Sequence, residues 1–182
     1  MTPRQRTRIK AEVAGLLAMP VAARRPVPVD QIARQLGIRL AYLPFDSEGE
    51  ELSGFYQRRG ADQIIGVNSS QARVRQRFTV AHELGHARLH QGDGIHIDGA
   101  FMLRDARSGE ASDPDEIAAN AFAAELLMPE EEVVAALVGG RFDITDDSGV
   151  RGLARQFGVS LQSVTYRLAN LGWRIDGNPR FG

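Results

Sequence analysis

Residues 77–90 read RFTVAHELGHARLH and hold three of the chain's four histidines. Val74, Phe78, Ala81 and Leu84 recur at helical spacing through this stretch and just before it, so it forms a long helix. Residues four apart on a helix share a face, about 6 Å from one another. His82 and His86 can therefore converge on one ion, with about 2.0 Å from each ring nitrogen. Glu83, one residue beyond the first histidine, cannot comfortably bind that ion but can reach a water held on it.

This spacing is the His-Glu-x-x-His arrangement of zinc-dependent peptidases, in which the metal acidifies a water and the glutamate takes its proton. The chain contains no cysteine, so any metal must be held by imidazole and carboxylate. His90 continues the four-residue series, yet His82 and His90 stand about 12 Å apart along the helix axis, too far to share an ion. It reads as a helix-end histidine, and His96 as an exposed loop residue. The better third ligand lies in DEIAANAFAAELLMP, residues 115–129. There Glu116 and Asn120 lie four apart on the side carrying Ala119 and Ala123, whose small side chains let two helices approach closely. Glu116 would complete the ligand set, and Asn120 would accept the distal N–H of one histidine and orient its ring. Asp113 is better used as a helix cap, and Asp115 points to another face.

The rest of the chain gives this helix pair a setting. At 182 residues, with 43% hydrophobic and 25% charged residues, the chain suits one domain or one domain with a small helical appendage. No apolar run approaches the roughly 20 residues of a membrane span, and the start does not read as a signal peptide, so the expected location is cytoplasmic, with no membrane partner. The net charge of −1 covers a basic first half and an acidic second half. All of the 22 basic residues except Lys10 are arginine, and Arg4, Arg6, Arg8 and Lys10 cluster, which reads as a solvated helix face.

Thr2 and Pro3 open an amphipathic helix that Pro20 stops, and Asp30 caps a second, short helix ending at Gly37. IRLAYLPF, LSGFYQ and QIIGVN read as a small antiparallel sheet of about three strands. A further strand is expected at IHID, in an otherwise Gly-rich stretch. Cap-type residues at 68–70 precede the histidine helix. Asp113 and Pro114 open the helix of Glu116, Pro129 separates it from another, and Gly139 and Gly140 stop that one. From Asp147 to Leu171 two helices are broken at FGVS. The fold class expected is α+β: a zincin-like metallopeptidase core with a small antiparallel sheet packed on helices at 1–140, followed by a helix-turn-helix-like helical segment at 141–182.

RQRFTVAHELGHARLH (75–90), EIAANAFAAELLMP (116–129) and, more weakly, the LSGFYQ and IIGVN segments resemble the ImmA/IrrE family of zinc metallo-endopeptidases. The resemblance covers most of the chain. It implies a zinc site of His82, His86 and Glu116 with Glu83 as general base. It also implies a helix-turn-helix repressor as substrate, whose cleavage derepresses a stress response or mobile-element genes. Many relatives carry Glu-Ala-Asn where this chain has Ala118-Ala119-Asn120, with Glu116 matching the upstream glutamate. The chain is expected to lack the sensory domain of longer members. Manganese or iron could occupy the same donor set.

An extended substrate is expected to add to a sheet edge at IIGVN or its neighbour, and Tyr56 and Arg104 are the candidate oxyanion donors. The alternative is a DNA-binding or non-proteolytic partner-binding regulatory protein with a structural metal site. Residues 151–173 have helix-turn-helix form, and Gln162, Ser163, Thr165 and Arg167 would be exposed to meet bases, with little positive charge for phosphates.

Overall fold

The computed structural model describes residues 1–45, 52–90, 94–98 and 113–173, with only the backbone described at 96–98. Helix α1 (Pro3–Leu17) starts with a reciprocal cap: Thr2 Oγ1 accepts from the Gln5 amide and Gln5 Oε1 accepts from the Thr2 amide. It buries Ile9, Val13 and Leu16, and a short 3-10 turn at Pro20–Ala23 follows. Helix α2 (Val29–Gln35) has Pro28 at its N-cap, not Asp30. Asp30 lies in the first turn, where its carboxylate accepts a 2.7 Å hydrogen bond from the Tyr42 hydroxyl on the next strand. A half-buried tertiary partner has displaced the local capping role.

The sheet consists of β1 (Arg39–Leu43), β2 (Gly54–Arg59), β3 (Asp62–Asn68) and β4 (Gly94–Asp98) in the order β1-β3-β2-β4. Among the described residues it is thus four-stranded and mixed; the further strand expected at IHID is β4, and the difference from the expected antiparallel sheet is that β1 runs parallel to β3. β2 and β3 form a hairpin turning at Gly60, whose φ of 56° favours glycine. β4 pairs antiparallel with β2, and β1 lies parallel along the other side of β3, with Leu40 opposite Ile65. β3, which with its neighbour was expected to accept the substrate, is therefore paired on both sides, and among the described residues the sheet ends at β1, one of its neighbours, and at β4.

Helix α3 (Arg73–Leu89) follows without a side-chain cap; Asn68 instead accepts from the Ser70 amide and shapes the turn leading in. From Thr79 to Ala87 every residue of α3 is buried, so this helix runs through the middle of the molecule. β2 and β3 pack on one side of it and α4 (Pro114–Leu127) on another, with α1 against α4. As expected, Asp113 caps α4 and Pro114 occupies its first turn. Pro129 is the N-cap of α5 (Glu130–Val138), and Gly139 is its C-cap. Arg8 and Lys10 are not a free basic patch: Arg8 donates to the Leu89 carbonyl at the end of α3, and Lys10 pairs with Glu130.

Helices α6 (Asp147–Phe157) and α7 (Leu161–Asn170) meet at Gly158, which adopts the left-handed conformation. Their Leu153, Phe157, Val164 and Leu168 belong to the same apolar core as Val80, Leu84, Phe122 and Leu126. Arg77 of α3 donates to the Gly158 carbonyl, satisfying the C-terminal end of α6. Arg167 corrects the expectation that it faces solvent. It is 8% exposed, donates to the Met128 carbonyl and pairs with Glu125 of α4.

A buried pair that loses one partner leaves an uncompensated charge, at a cost of about 3–5 kcal/mol. Arg167→Ala is expected to lower unfolding free energy by about that amount, read by urea denaturation. A change below about 0.5 kcal/mol, the usual size for surface sites, would mean that the pair is not a structural tie. No helix among the described residues is long and apolar enough to cross a membrane.

Candidate metal centre

The contact between α3 and α4 depends on one missing side chain. Gly85 lies between Glu83 and His86, and a Cβ built on it would lie 3.0 Å from the Ala119 Cα and 3.2 Å from the Ala119 carbonyl oxygen. Only glycine against alanine lets the two backbones come this close. The approach brings Glu116 and Asn120 of α4 over the histidine face of α3.

There, His82 Nε2 lies 3.0 Å from His86 Nε2, and the two carboxylate oxygens of Glu116 lie 3.1 Å from these nitrogens. Donors about 2.0–2.1 Å from a tetrahedral ion are themselves about 3.3 Å apart, so this triangle matches the donor set of one zinc-sized cation. The protonation pattern agrees. His82 Nδ1 is 3.0 Å from Asn120 Oδ1. An amide oxygen can only accept, so Nδ1 is the nitrogen that donates to it, and in the tautomer this selects Nε2 is the nitrogen that can offer a lone pair to a cation. That lone pair faces a carboxylate and a second imidazole nitrogen, an arrangement of acceptors that a cation at the centre relieves. His82, His86 and Glu116 are the group of potential ligands that stands out among the described residues.

Glu83 is fully buried one residue from His82. Its Oε1 lies 3.3 Å from where a Cβ of Gly54 would be, so the carboxylate is lodged between α3 and the first residue of β2. His90 is the C-cap of α3 and is outside the donor triangle. Its Nδ1 lies 3.1 Å from Asp115 Oδ2, which ties the end of α3 to the start of α4. Sequence reasoning set Asp115 aside as facing elsewhere, and it missed this tie because the partners are on different helices.

Tyr56 is buried on β2, and its hydroxyl donates to Gln63 Oε1 at 2.7 Å, a bond that does not involve the donor triangle. Arg104 lies outside the described residues, as do the side-chain surroundings of His96. On α7, Gln162 and Thr165 are half-buried. Ser163 is engaged in the α7 cap, its amide donating to Ser160 Oγ. With Arg167 buried, none of the four residues expected to meet DNA offers a free positive charge. Gly54 and Thr79 were also missed. The first becomes informative only through a contact between distant segments, whereas the second lies four residues before Glu83 and could have been found by counting along the helix.

The model of the IrrE N-terminal-like domain, Peptidase_M78, matches residues 33–169. The radiation response metalloprotease IrrE of Deinococcus deserti is 36% identical over 138 residues, and that of Deinococcus radiodurans is 39% identical over 106. The matches cover 73% and 58% of this chain but 43% and 30% of those relatives. An uncharacterized immunity region protein 2 of Bacillus phage phi105 is 33% identical over 103 residues, 57% of this chain and 61% of that protein. This chain thus spans less than two thirds of each relative's length. A solved Mycobacterium tuberculosis transcriptional regulator shares the fold, with a TM-score of 0.53 at 16% identity over 98% of this chain and 49% of that one. The family match takes in both helices of the donor triangle and the α6–α7 pair, and the chain belongs to the IrrE N-terminal-like domain family of peptidases, the ImmA/IrrE family.

Proposed function

We propose that the protein is a zinc-dependent endopeptidase that cleaves a helix-turn-helix transcriptional repressor and so derepresses stress-response or mobile-element genes. The observation that carries this reading is the donor triangle of His82, His86 and Glu116 with Glu83 buried beside it. When bound, zinc supplies a Lewis acid for the scissile carbonyl and lowers the pKa of water. Glu83 takes the proton of the attacking water and delivers it to the leaving amine. Asn120 holds His82 in the tautomer with Nε2 free. Manganese or iron suits the same donors.

The substrate would lie as an added strand along β4, the sheet edge next to β2 and so nearest Glu83. Residues 1–140 would act as a zincin-like catalytic unit. Residues 141–182, read as a helix-turn-helix-like segment, would dock the substrate in the cytoplasm. The immunity-region name of the phage relative supports a mobile-element setting. The alternative of a DNA-binding or non-proteolytic regulator is not favoured, because Arg167 is committed to Glu125 and because Glu83 is in place.

Elemental analysis of the purified protein tests the site. One equivalent of zinc is expected in wild type and in His90→Ala, and its loss in Glu116→Ala. Zinc retained in Glu116→Ala would place the third ligand elsewhere.

A further inference from the structure

On the face of α3 that meets β2, Arg75, Thr79 and Glu83 recur every fourth residue. Arg75 Nη2 donates to Ser53 Oγ at 2.9 Å. The Thr79 methyl Cγ2 and Glu83 Oε1 both border Gly54, the methyl against the position its Cβ would take and the carboxylate oxygen 3.3 Å from it. Thr79 is fully enclosed, and its Oγ1 makes no hydrogen bond. The carbonyl one turn back, the ordinary acceptor for a helical threonine, is not used. Leaving such a group unsatisfied costs stability, and valine would fill the same space without that cost. A helical threonine also differs from valine in dividing between two χ1 rotamers. A rotation of about 120° in χ1 can carry Oγ1 into the place the methyl now holds, the methyl moving to that of the β-hydrogen, which brings Oγ1 to the point beside Gly54 that Glu83 also borders.

We propose that Thr79 is a positioning residue for Glu83, its hydroxyl donating to the Glu83 carboxylate in this second rotamer. One carboxylate oxygen is then anchored and the other is left aimed at the nucleophilic water. The inference rests on the role given to Glu83 above. Gly54 is what leaves room for this rotation, because a β-carbon there would occupy the place that the methyl holds now and Oγ1 would hold afterwards.

Three-bond couplings of the Thr79 methyl in the zinc-loaded protein read its rotamer without any turnover. The second rotamer should be populated in wild type and depleted in Glu83→Ala; equal couplings in the two proteins would overturn the proposal. Cleavage of labelled casein gives the functional arm. Thr79→Val should retain zinc, melt no lower than wild type, lower kcat about tenfold, a single charge-assisted hydrogen bond's worth, and leave KM unchanged, with Thr79→Ser restoring kcat. Thr79→Val at the wild-type kcat, or an equal loss in both variants, would also overturn it. If wild type does not cleave casein, the couplings alone decide the hydrogen bond, and the peptidase reading is decided by the zinc analysis and by Glu83→Gln.

Discussion

Glu83→Gln is expected to bind one equivalent of zinc like wild type and to cleave its target at least about a hundredfold more slowly, since general acid–base catalysis contributes roughly 10²–10⁴ in rate. The substitution suits the question because Glu83 is completely buried and lies against Gly54. Glutamine keeps the shape that fills this space but cannot take a proton near neutral pH. Metal content and cleavage rate of the same preparation separate the two roles of the helix. Loss of zinc together with activity would mean that residue 83 supports the ligands, and unchanged cleavage would remove it from the chemistry.

Gly85→Val acts on the site without touching a ligand. Its β-carbon would lie 3.0 Å from the Ala119 Cα and 3.2 Å from the Phe122 Cβ, before the γ-carbons are counted. Backbone atoms cannot rotate away as a flexible side chain can, so α4 must shift from α3. Overpacking of this kind costs about 1–3 kcal/mol, and valine's intrinsic helix propensity, slightly better than glycine's, does not explain such a loss. Because α3 carries both histidines and α4 carries Glu116 and Asn120, the shift opens the donor triangle. Zinc affinity is expected to fall roughly 10–100-fold, the range seen when groups supporting metal ligands are removed. A chelator competition titration measures it. Gly15→Ala on the open side of α1, where no atom lies within 4 Å of the added carbon, should leave zinc affinity unchanged. Wild-type affinity in Gly85→Val would show that the close approach of the helices does not set the site.

Features that depend on neighbours in the chain are legible in the amino-acid order alone. Thr2 and Gln5 cap α1, Asp113 and Pro114 start α4, and Gly158 separates α6 from α7. Each uses groups within a few residues, so local geometry suffices. His82 and His86 are readable for the same reason. Glu116 and Asn120 can be read one step further, because an alanine-rich helix with a polar pair four apart has few other reasons to carry that pair. Asp30 and Arg167 mislead, since each resembles a solvent-facing group until its tertiary partner, Tyr42 or Glu125, is known. The parallel placement of β1 depends on which edge of the β2–β3 hairpin stays open, and hydrophobic alternation is the same for either edge.

The sequence by itself determined the main helices, the caps of α1 and α4 and the residue types of the candidate metal centre, because these follow from periodicity, capping and the fixed spacing of one helical turn. Only the tertiary structure decided that Gly85 brings α4 onto α3, that Gly54 borders Glu83, and that the α6–α7 pair joins the central core. Those outcomes rest on contacts between residues tens of positions apart. Such contacts are set by close packing in three dimensions, for which no short stretch of sequence carries a signal.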